Sequence, residues 1–344
     1  MELLITAQST QELKAKQQLL GGICHSSVIT DVGGTLFQLP LPLLGEKENL
    51  QEFFLTNTVP ITNEFIIPHG TVRYSKSGEF VFGQINVLQN MGVQGLKETS
   101  LLAYRVLLQL CTDMQTPNLL RIWNYVPHIN ALEGETERYR LFNAGRRQAF
   151  SECQQTVSHG SPAACALGSF DNTLKIAFLA STLKPQSIEN PRQVSAYFYP
   201  KQYGTVPPVF SRAALFPQGI GTTLFISGTA SIVGHESWHR GDIKAQTRET
   251  LQNLNSVLTQ ANLVVKSGQT EQAYSQQPWK LAELQCRVYI RHPEHLQTVQ
   301  SILQRAGLIQ AAYLKADICR AELLLEIEAT ASRLYHKFDK RTAA

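Results

Sequence analysis

Hydrophobic residues recur along this chain at two spacings, and the places where one spacing gives way to the other mark its elements. In the second half, residues 221–230 (GTTLFISGTA) form an apolar run closing on small residues, which predicts a strand. Residues 242–260 then carry apolar side chains at Ile243, Ala245, Leu251, Leu254, Val257 and Leu258, the stripe of an amphipathic helix with Asp242 as its N-cap. Residues 285–291 (QCRVYIR) alternate as a strand, 295–306 form a second helix closed by Gly307, and 317–331 supply a last strand. The first half repeats that β-α-β-α-β order, with strands at 79–87, 119–125 and 174–181 and helices at 96–113 and 137–152.

The expected fold class is therefore α+β, built from two domains related as an internal degenerate repeat: residues 1–184, with an N-terminal extension, and residues 193–344. The extension, residues 1–60, is interrupted by Gly and Pro and is expected to wrap on the first copy as strands or loops. Residues 182–192 are polar, carry Pro185 and Pro191, and read as the linker. Helices on one face of each sheet leave the other face apolar and free. The two halves should bury those faces against each other or against other chains, and a ligand site is expected at the seam.

Composition narrows the function classes. With 43% hydrophobic and 17% charged residues in a chain of 344, a sizeable core is available. The net charge of +4 arises from scattered basic residues without a run of five or more, so nucleic acid is not the expected partner. The start, Met1 to Gln8, lacks a charged leader region, and no apolar stretch approaches the roughly 18 residues of a membrane span. A cytoplasmic protein with no membrane partner is expected. Six cysteines without a CxxC pair suggest neither a zinc knuckle nor a disulfide framework, and reduced core thiols are the expectation.

Several motifs lack the context that their chemistry needs. His235-Glu236-Ser237-Trp238-His239 matches H-E-x-x-H, which binds zinc only when a helix sets the two imidazoles one turn apart. Gly234 and Gly241 flank it, the predicted helix starts later, and no third ligand follows at a familiar spacing, so no metal is expected. Gly219-Ile220-Gly221 lacks the third glycine of a dinucleotide loop, and Ser227 does not sit in G-x-S-x-G.

The chemistry concentrates in two places. In Leu323-Leu324-Leu325-Glu326-Ile327-Glu328-Ala329 the alternation puts both carboxylates on one face of a strand. A buried carboxyl there would hold a proton near neutral pH and could act as a general acid, whereas an edge strand with a wet face is the plain alternative. Arg138-Tyr139-Arg140 with Gly145-Arg146-Arg147, and Tyr197, Tyr199 and Tyr203 with Arg212, pair guanidinium forks with phenol donors, a combination suited to a small dianionic organic acid. Tyr139 and Arg146 lie two helical turns apart and share a face. Snorkelling surface arginines and core tyrosines are the alternative for any one of them. Gly228, Thr229 and Ala230 offer a backbone that a ligand can approach closely.

These segments together resemble the chorismatases: Arg121-Ile122-Trp123-Asn124-Tyr125-Val126-Pro127-His128-Ile129-Asn130, Glu137-Arg138-Tyr139 through Arg146, Ala149-Phe150, Ser227-Gly228-Thr229-Ala230-Ser231, His239-Arg240-Gly241-Asp242, Ala316-Asp317-Ile318-Cys319-Arg320 and Leu325-Glu326-Ile327-Glu328-Ala329. The resemblance runs from about residue 60 to the end and is specific in combination. It implies two RidA/YjgF-like (chorismate-mutase-like) domains and cleavage of chorismate to pyruvate and a ring product without a metal or organic cofactor. It also implies roles: Glu326 as the acid that protonates the enolpyruvyl methylene, with Glu328 its rival, and Tyr139, Arg146, Tyr199 and Arg212 on the two carboxylates, Tyr203 being the alternative to Tyr199. Gly228, Ala230 and Cys319 would shape the pocket. A Cys at the position of Cys319 goes with members that form 3-hydroxybenzoate, sometimes with 4-hydroxybenzoate, whereas Ala at the position of Ala230 goes with hydrolytic members that give a dihydroxycyclohexadiene carboxylate. The hydroxybenzoate outcome is the expectation. Two other classes fit the same residues, a RidA-like imine deaminase and a non-catalytic module that binds an aromatic acid. RidA proteins are trimers, so a two-copy chain is expected to be a monomer or a trimer.

Overall fold

The computed structural model describes residues 4–6, 18–25, 34–45, 51–89, 95–153, 161–204, 206–218, 221–266 and 278–334. Met1 to Leu3, Ala7, Gln8, Gly219 and Ile220, named above, lie outside these. The N-terminal extension supplies β1 Leu4–Thr6, β2 Gln18–Cys24, β3 Thr35–Gln38 and β4 Glu52–Thr56, which form a sheet of order β1-β4-β2-β3. The first copy follows as β5 Ile61–Ile67, β6 Gly70–Ser77, β7 Phe80–Leu88, α1 Leu96–Asp113, β8 Asn118–Pro127, a small hairpin of β9 Leu132–Glu133 and β10 Thr136–Glu137, α2 Arg138–Glu152, β11 Ala163–Ser169 and β12 Thr173–Ser181. The second copy is β13 Gln186–Ile188, β14 Ala213–Gln218, β15 Gly221–Thr229, a hairpin of β16 Ile232–Val233 and β17 Glu236–Ser237, α3 Ile243–Lys266, β18 Gln285–Ile290, α4 Leu296–Arg305, β19 Gln310–Lys315, β20 Asp317–Ile318 and β21 Leu325–Leu334.

The repeat is explicit in the pairing. The first large sheet has the order β20-β11-β8-β12-β7-β6-β5 and the second β13-β14-β15-β21-β18-β19. With β20 set aside, β5, β6, β7, β12, β8 and β11 correspond in turn to β13, β14, β15, β21, β18 and β19. In each copy the parallel pair is the one that flanks the second helix, β8 with β11 and β18 with β19, because a parallel connection needs a crossover and the helix provides it.

Each copy is therefore β-β-β-α-β-α-β-β, longer than the β-α-β-α-β expected. The strand after each second helix escaped because AACALGS and QAAYLK are poor in β-branched residues; burial beside β8 and pairing with β18 make them strands all the same. The stretch 182–192, expected as a linker, contains β13, a short edge strand paired with β14. Residues 317–331 are not one strand either. β20 crosses to the first sheet and pairs with β11, and a loop returns the chain to β21 in the second.

The core has three main layers. One apolar cluster joins the outer face of the first sheet to α1 and α2 through Ile122, Ile176, Phe178, Tyr104, Leu107 and Phe142. Another joins the second sheet to α3 and α4 through Ile226, Val288, Ile327, Leu254, Val257 and Leu303. Between the sheets lies the third, where Trp123, Phe82, Phe225, Tyr289 and Ile318 meet Ile23, Phe37 and Phe54 of the N-terminal sheet. The free faces thus pack on each other, and the extension seals the seam while touching both copies. Asp242 caps α3, its Oδ1 accepting from the amides of Lys244 at 2.9 Å and Ala245 at 3.0 Å.

Helices α1 and α2 pack backbone to backbone at Gly145. A Cβ there would run into the carbonyl oxygen of Lys97 and lie 2.9 Å from the amide nitrogen of Leu101. Substituting Gly145→Ala must push the helices apart and should cost about 1–3 kcal/mol. Thermal denaturation of the variant should show a lowered Tm; an unchanged Tm would contradict this packing.

Candidate active site

A cavity of ≈ 250 Å³ opens where the two copies meet. Glu326, Tyr139, Arg146, Tyr199, Arg212, Gly228, Ala230 and Cys319 all line it, as do Arg140 and Tyr203, whereas Glu328, Arg138, Arg147, Tyr197 and Thr229 do not. Helix α2 brings Tyr139 and Arg146 on one face, as their spacing requires. The chain between β13 and β14 brings Tyr199 and Arg212, the end of β15 brings Gly228 and Ala230 follows it, and β21 with its approach loop brings Glu326 and Cys319.

The two glutamates have opposite environments although both point into the seam. Glu328 is 1% exposed and clamped: Arg121 of β8 pairs with it, Tyr289 donates its hydroxyl at 2.6 Å and Arg287 reaches it at 3.3 Å. Burial alone would raise its pKa, but Arg121 and Arg287 outweigh burial and hold it below the ordinary carboxylate value. Glu326 is 4% exposed, and among the described residues it joins no ion pair. Burial, and then the charge of Glu328, push its pKa up to about 8; Arg121 opposes this but is engaged with Glu328. At neutral pH the cavity wall therefore carries a neutral carboxylic acid beside a fixed carboxylate.

A bulge in the β15–β21 ladder sets the acid's position. The register slips between Ile226 and Thr229, and Gly228 falls directly against the Glu326 carboxyl, where a Cβ would overlap Oε1. Ser227, one residue earlier, accepts from the amide of Ala164 at 2.9 Å and donates to the carbonyl of Ser211 at 2.6 Å, stitching β11 to the strand before the site.

Arginine donors face the cavity with little to hold. Arg146 is buried, its guanidinium 5.1 Å from the Tyr104 ring and 5.8 Å from the Phe150 ring, and its Nε and Nη2 have no hydrogen-bond partner. Arg212 donates through Nη2 to the Tyr199 hydroxyl and the Val194 carbonyl, both at 2.8 Å, while its Nε is unpartnered. Buried guanidinium donors without acceptors are costly, and a carboxylate satisfies them. Tyr199 and Tyr203 both line the cavity, with ring centroids 5.8 Å apart.

Cys319 lies in the loop between β20 and β21 rather than within the strand. Burial, and then Glu326, push its thiol up to about 12, so it is a neutral wall group and not a thiolate. Arg291 fixes that loop, donating to the carbonyls of Leu323 at 2.9 Å, Ile318 at 3.2 Å and Arg320 at 3.1 Å and pairing with Asp317 at 2.6 Å. No sequence pattern marks this role, since Arg291 reads as the end of a strand. Cys165 of β11 and Arg320 were also missed as lining residues; Arg320 lies 3.9 Å over the Tyr203 ring, and its place beside Cys319 was the available signal. His235 and His239 flank β17 of a hairpin, and α3 starts only at Ile243, so the helical spacing of a zinc motif is not present.

The family described as chorismatase FkbO/Hyg5-like, N-terminal, matches residues 64–180. A protein of Streptomyces hygroscopicus named 3-hydroxybenzoate synthase is 36% identical over 267 residues, 75% of this chain and 75% of that protein. One of Streptomyces rapamycinicus named chorismatase is 34% identical over 269 residues, 76% of this chain and 77% of the other. A solved chorismatase crystal structure is 27% identical, covers 96% of this chain and 98% of its own, and superimposes with a TM-score of 0.79.

The raised pKa of Glu326 has a stability consequence whose sign is fixed. An unfolded glutamate gives up its proton near 4.5 and the folded one near 8, so between these values folding takes up a proton and stability falls as pH rises. Glu326→Gln has no proton to take up. Its Tm should match that of the wild type near pH 5 and exceed it at pH 8, by a stability difference on the order of a few kcal/mol. Equal melting temperatures at both pH values would contradict the buried neutral acid.

Proposed function

The chain belongs to the chorismatase family of enzymes, and we propose that it cleaves chorismate to pyruvate and 3-hydroxybenzoate. The observation that carries this reading is a neutral carboxylic acid, Glu326, in the wall of a cavity that Arg146 and Arg212 also line, each with a buried donor that lacks a partner. Chorismate carries two carboxylates and an enolpyruvyl ether, so the substrate supplies what each group lacks. The arginines, with Tyr139 and Tyr199, take the carboxylates, and Glu326 protonates the methylene carbon of the enolpyruvyl group. An oxocarbenium ion results, and Glu328 stays ionised beside it as a fixed negative charge.

The fate of that cation decides the product. Chorismate has the same atoms as pyruvate plus hydroxybenzoate, so aromatisation consumes no water and returns a proton to the acid. Hydrolysis instead adds one water and gives a dihydroxycyclohexadiene carboxylate. Ala164, Cys165, Phe210, Ile232 and Cys319 line the cavity with apolar surface, which favours collapse without water. Ala230 also lines it, and as the residue type that the resemblance associates with hydrolytic members it supports hydrolysis as the second reading. On either reading the enzyme is cofactor-independent and cytoplasmic.

Incubating the protein with chorismate, separating the products by liquid chromatography and assaying pyruvate tests this directly. Pyruvate with 3-hydroxybenzoate is expected, and Glu326→Gln should lose about a hundredfold or more in turnover while still binding chorismate. Pyruvate with a non-aromatic diol would select hydrolysis, and no pyruvate would overturn the reading.

A further inference from the structure

A second buried carboxylate stands behind Glu328, and it comes from outside the two copies. Glu52 of β4 is 4% exposed and pairs with Arg287 at 2.8 Å, while its other oxygen accepts from the Thr330 hydroxyl at 2.8 Å. Arg287 Nη1 also reaches Glu328, and Arg121 holds Glu328 from the opposite sheet. Glu52, Arg287, Glu328 and Arg121 therefore form one dry cluster of two anions and two cations. Its formal charge is zero, and ionising Glu326 would add an uncompensated negative charge beside it.

We propose that Glu52 is a positioning residue for the acid: through Arg287 and Glu328 it completes the charge balance that keeps the proton on Glu326. This rests on the reading of Glu326 as the catalytic acid. The groups facing Glu326 leave few other sources of charge. Tyr289 is its partner on β18, Cys165 faces it from β11, Tyr139 from α2 and Cys319 from the preceding loop, and burial raises all four, which leaves them neutral. Charge comes from Glu328 and Arg121, with Glu137, Arg140, Arg146, Arg212, Arg320 and Glu322 elsewhere in the cavity lining. The first two belong to the cluster that Glu52 completes, and the others are untouched by a change at Glu52.

The sign and size follow from geometry. Glu326, Glu328 and Thr330 occupy successive positions on one face of β21, so Glu52 at Thr330 lies about 13 Å from Glu326. A unit charge at that range, at an effective dielectric of about 20, shifts a titration by about one pH unit. Glu52→Gln makes the cluster positive, eases ionisation of Glu326 and should move the high-pH limb of the kcat/KM profile down by about one unit. At pH 8 that puts the variant about elevenfold below its own low-pH plateau, against about twofold for the wild type. Arg287→Gln makes the cluster negative and should move the limb up, while adding Glu52→Gln to it restores neutrality and brings the limb back down toward its wild-type position, Arg287 opposite Glu328 being nearer to Glu326 than Glu52 is. The paired replacement also leaves no stranded charge, so it should fold when a single variant does not. A limb at the wild-type pH in the Glu52→Gln variant, or a double variant whose limb stays where Arg287→Gln alone puts it, overturns the role of Glu52. Wild-type protein that turns over no chorismate contradicts the functional reading instead.

Discussion

The pairing of Arg121 with Glu328 is the contact on which the site depends. It crosses from β8 of the first copy to β21 of the second, between residues that are both almost fully buried. Removing either partner would strand a charge in the seam, so the two sheets are held in the one arrangement that keeps them together. The same contact engages the nearest cation. Glu326, two residues along the strand, is left with burial and a neighbouring negative charge, and it keeps its proton. One ion pair thus orients the halves and sets the chemistry of the acid beside it.

Duplication explains how the parts came to face each other. Both copies have the same topology, yet they contribute differently. On the seam side of β12 the first copy carries Ala177 and Leu179, whereas the corresponding strand of the second, β21, carries Glu326 and Glu328. Helix α2 carries Tyr139 and Arg146 into the cavity, and no residue of its counterpart α4 lines it. Binding groups from one copy and the acid from the other meet because the free sheet faces have nowhere else to bury their apolar surface. The crossover of β20 ties the two together at the edge, and its loop delivers Cys319 and Arg320 to the same cavity.

Much of this was legible in the chain because it is local. Period-2 spacing put Glu326 and Glu328 on one face, and helical spacing put Tyr139 and Arg146 together. Small residues at Gly228 and Ala230 marked a close approach. What escaped was set by distant partners. The difference between the two glutamates depends on Arg121, 207 residues before Glu328, and on Arg287, whose other partner, Glu52, lies 235 positions earlier. Strands β11 and β19 were hidden because their Ala-rich sequences become strands only through burial and pairing with β8 and β18. Arg291 holds the loop of Cys319 through backbone carbonyls, a role that no side-chain pattern announces.

Glu326 is a neutral acid at neutral pH because it is buried beside the charge of Glu328 while Arg121 is already engaged. Infrared difference spectroscopy of the wild type against Glu326→Gln, followed over pH, observes that proton directly through the carboxylic acid carbonyl band. A Glu326 band is expected at pH 7 and should disappear as the pH passes about 8. A carboxylate signal for Glu326 already at pH 6 would contradict it.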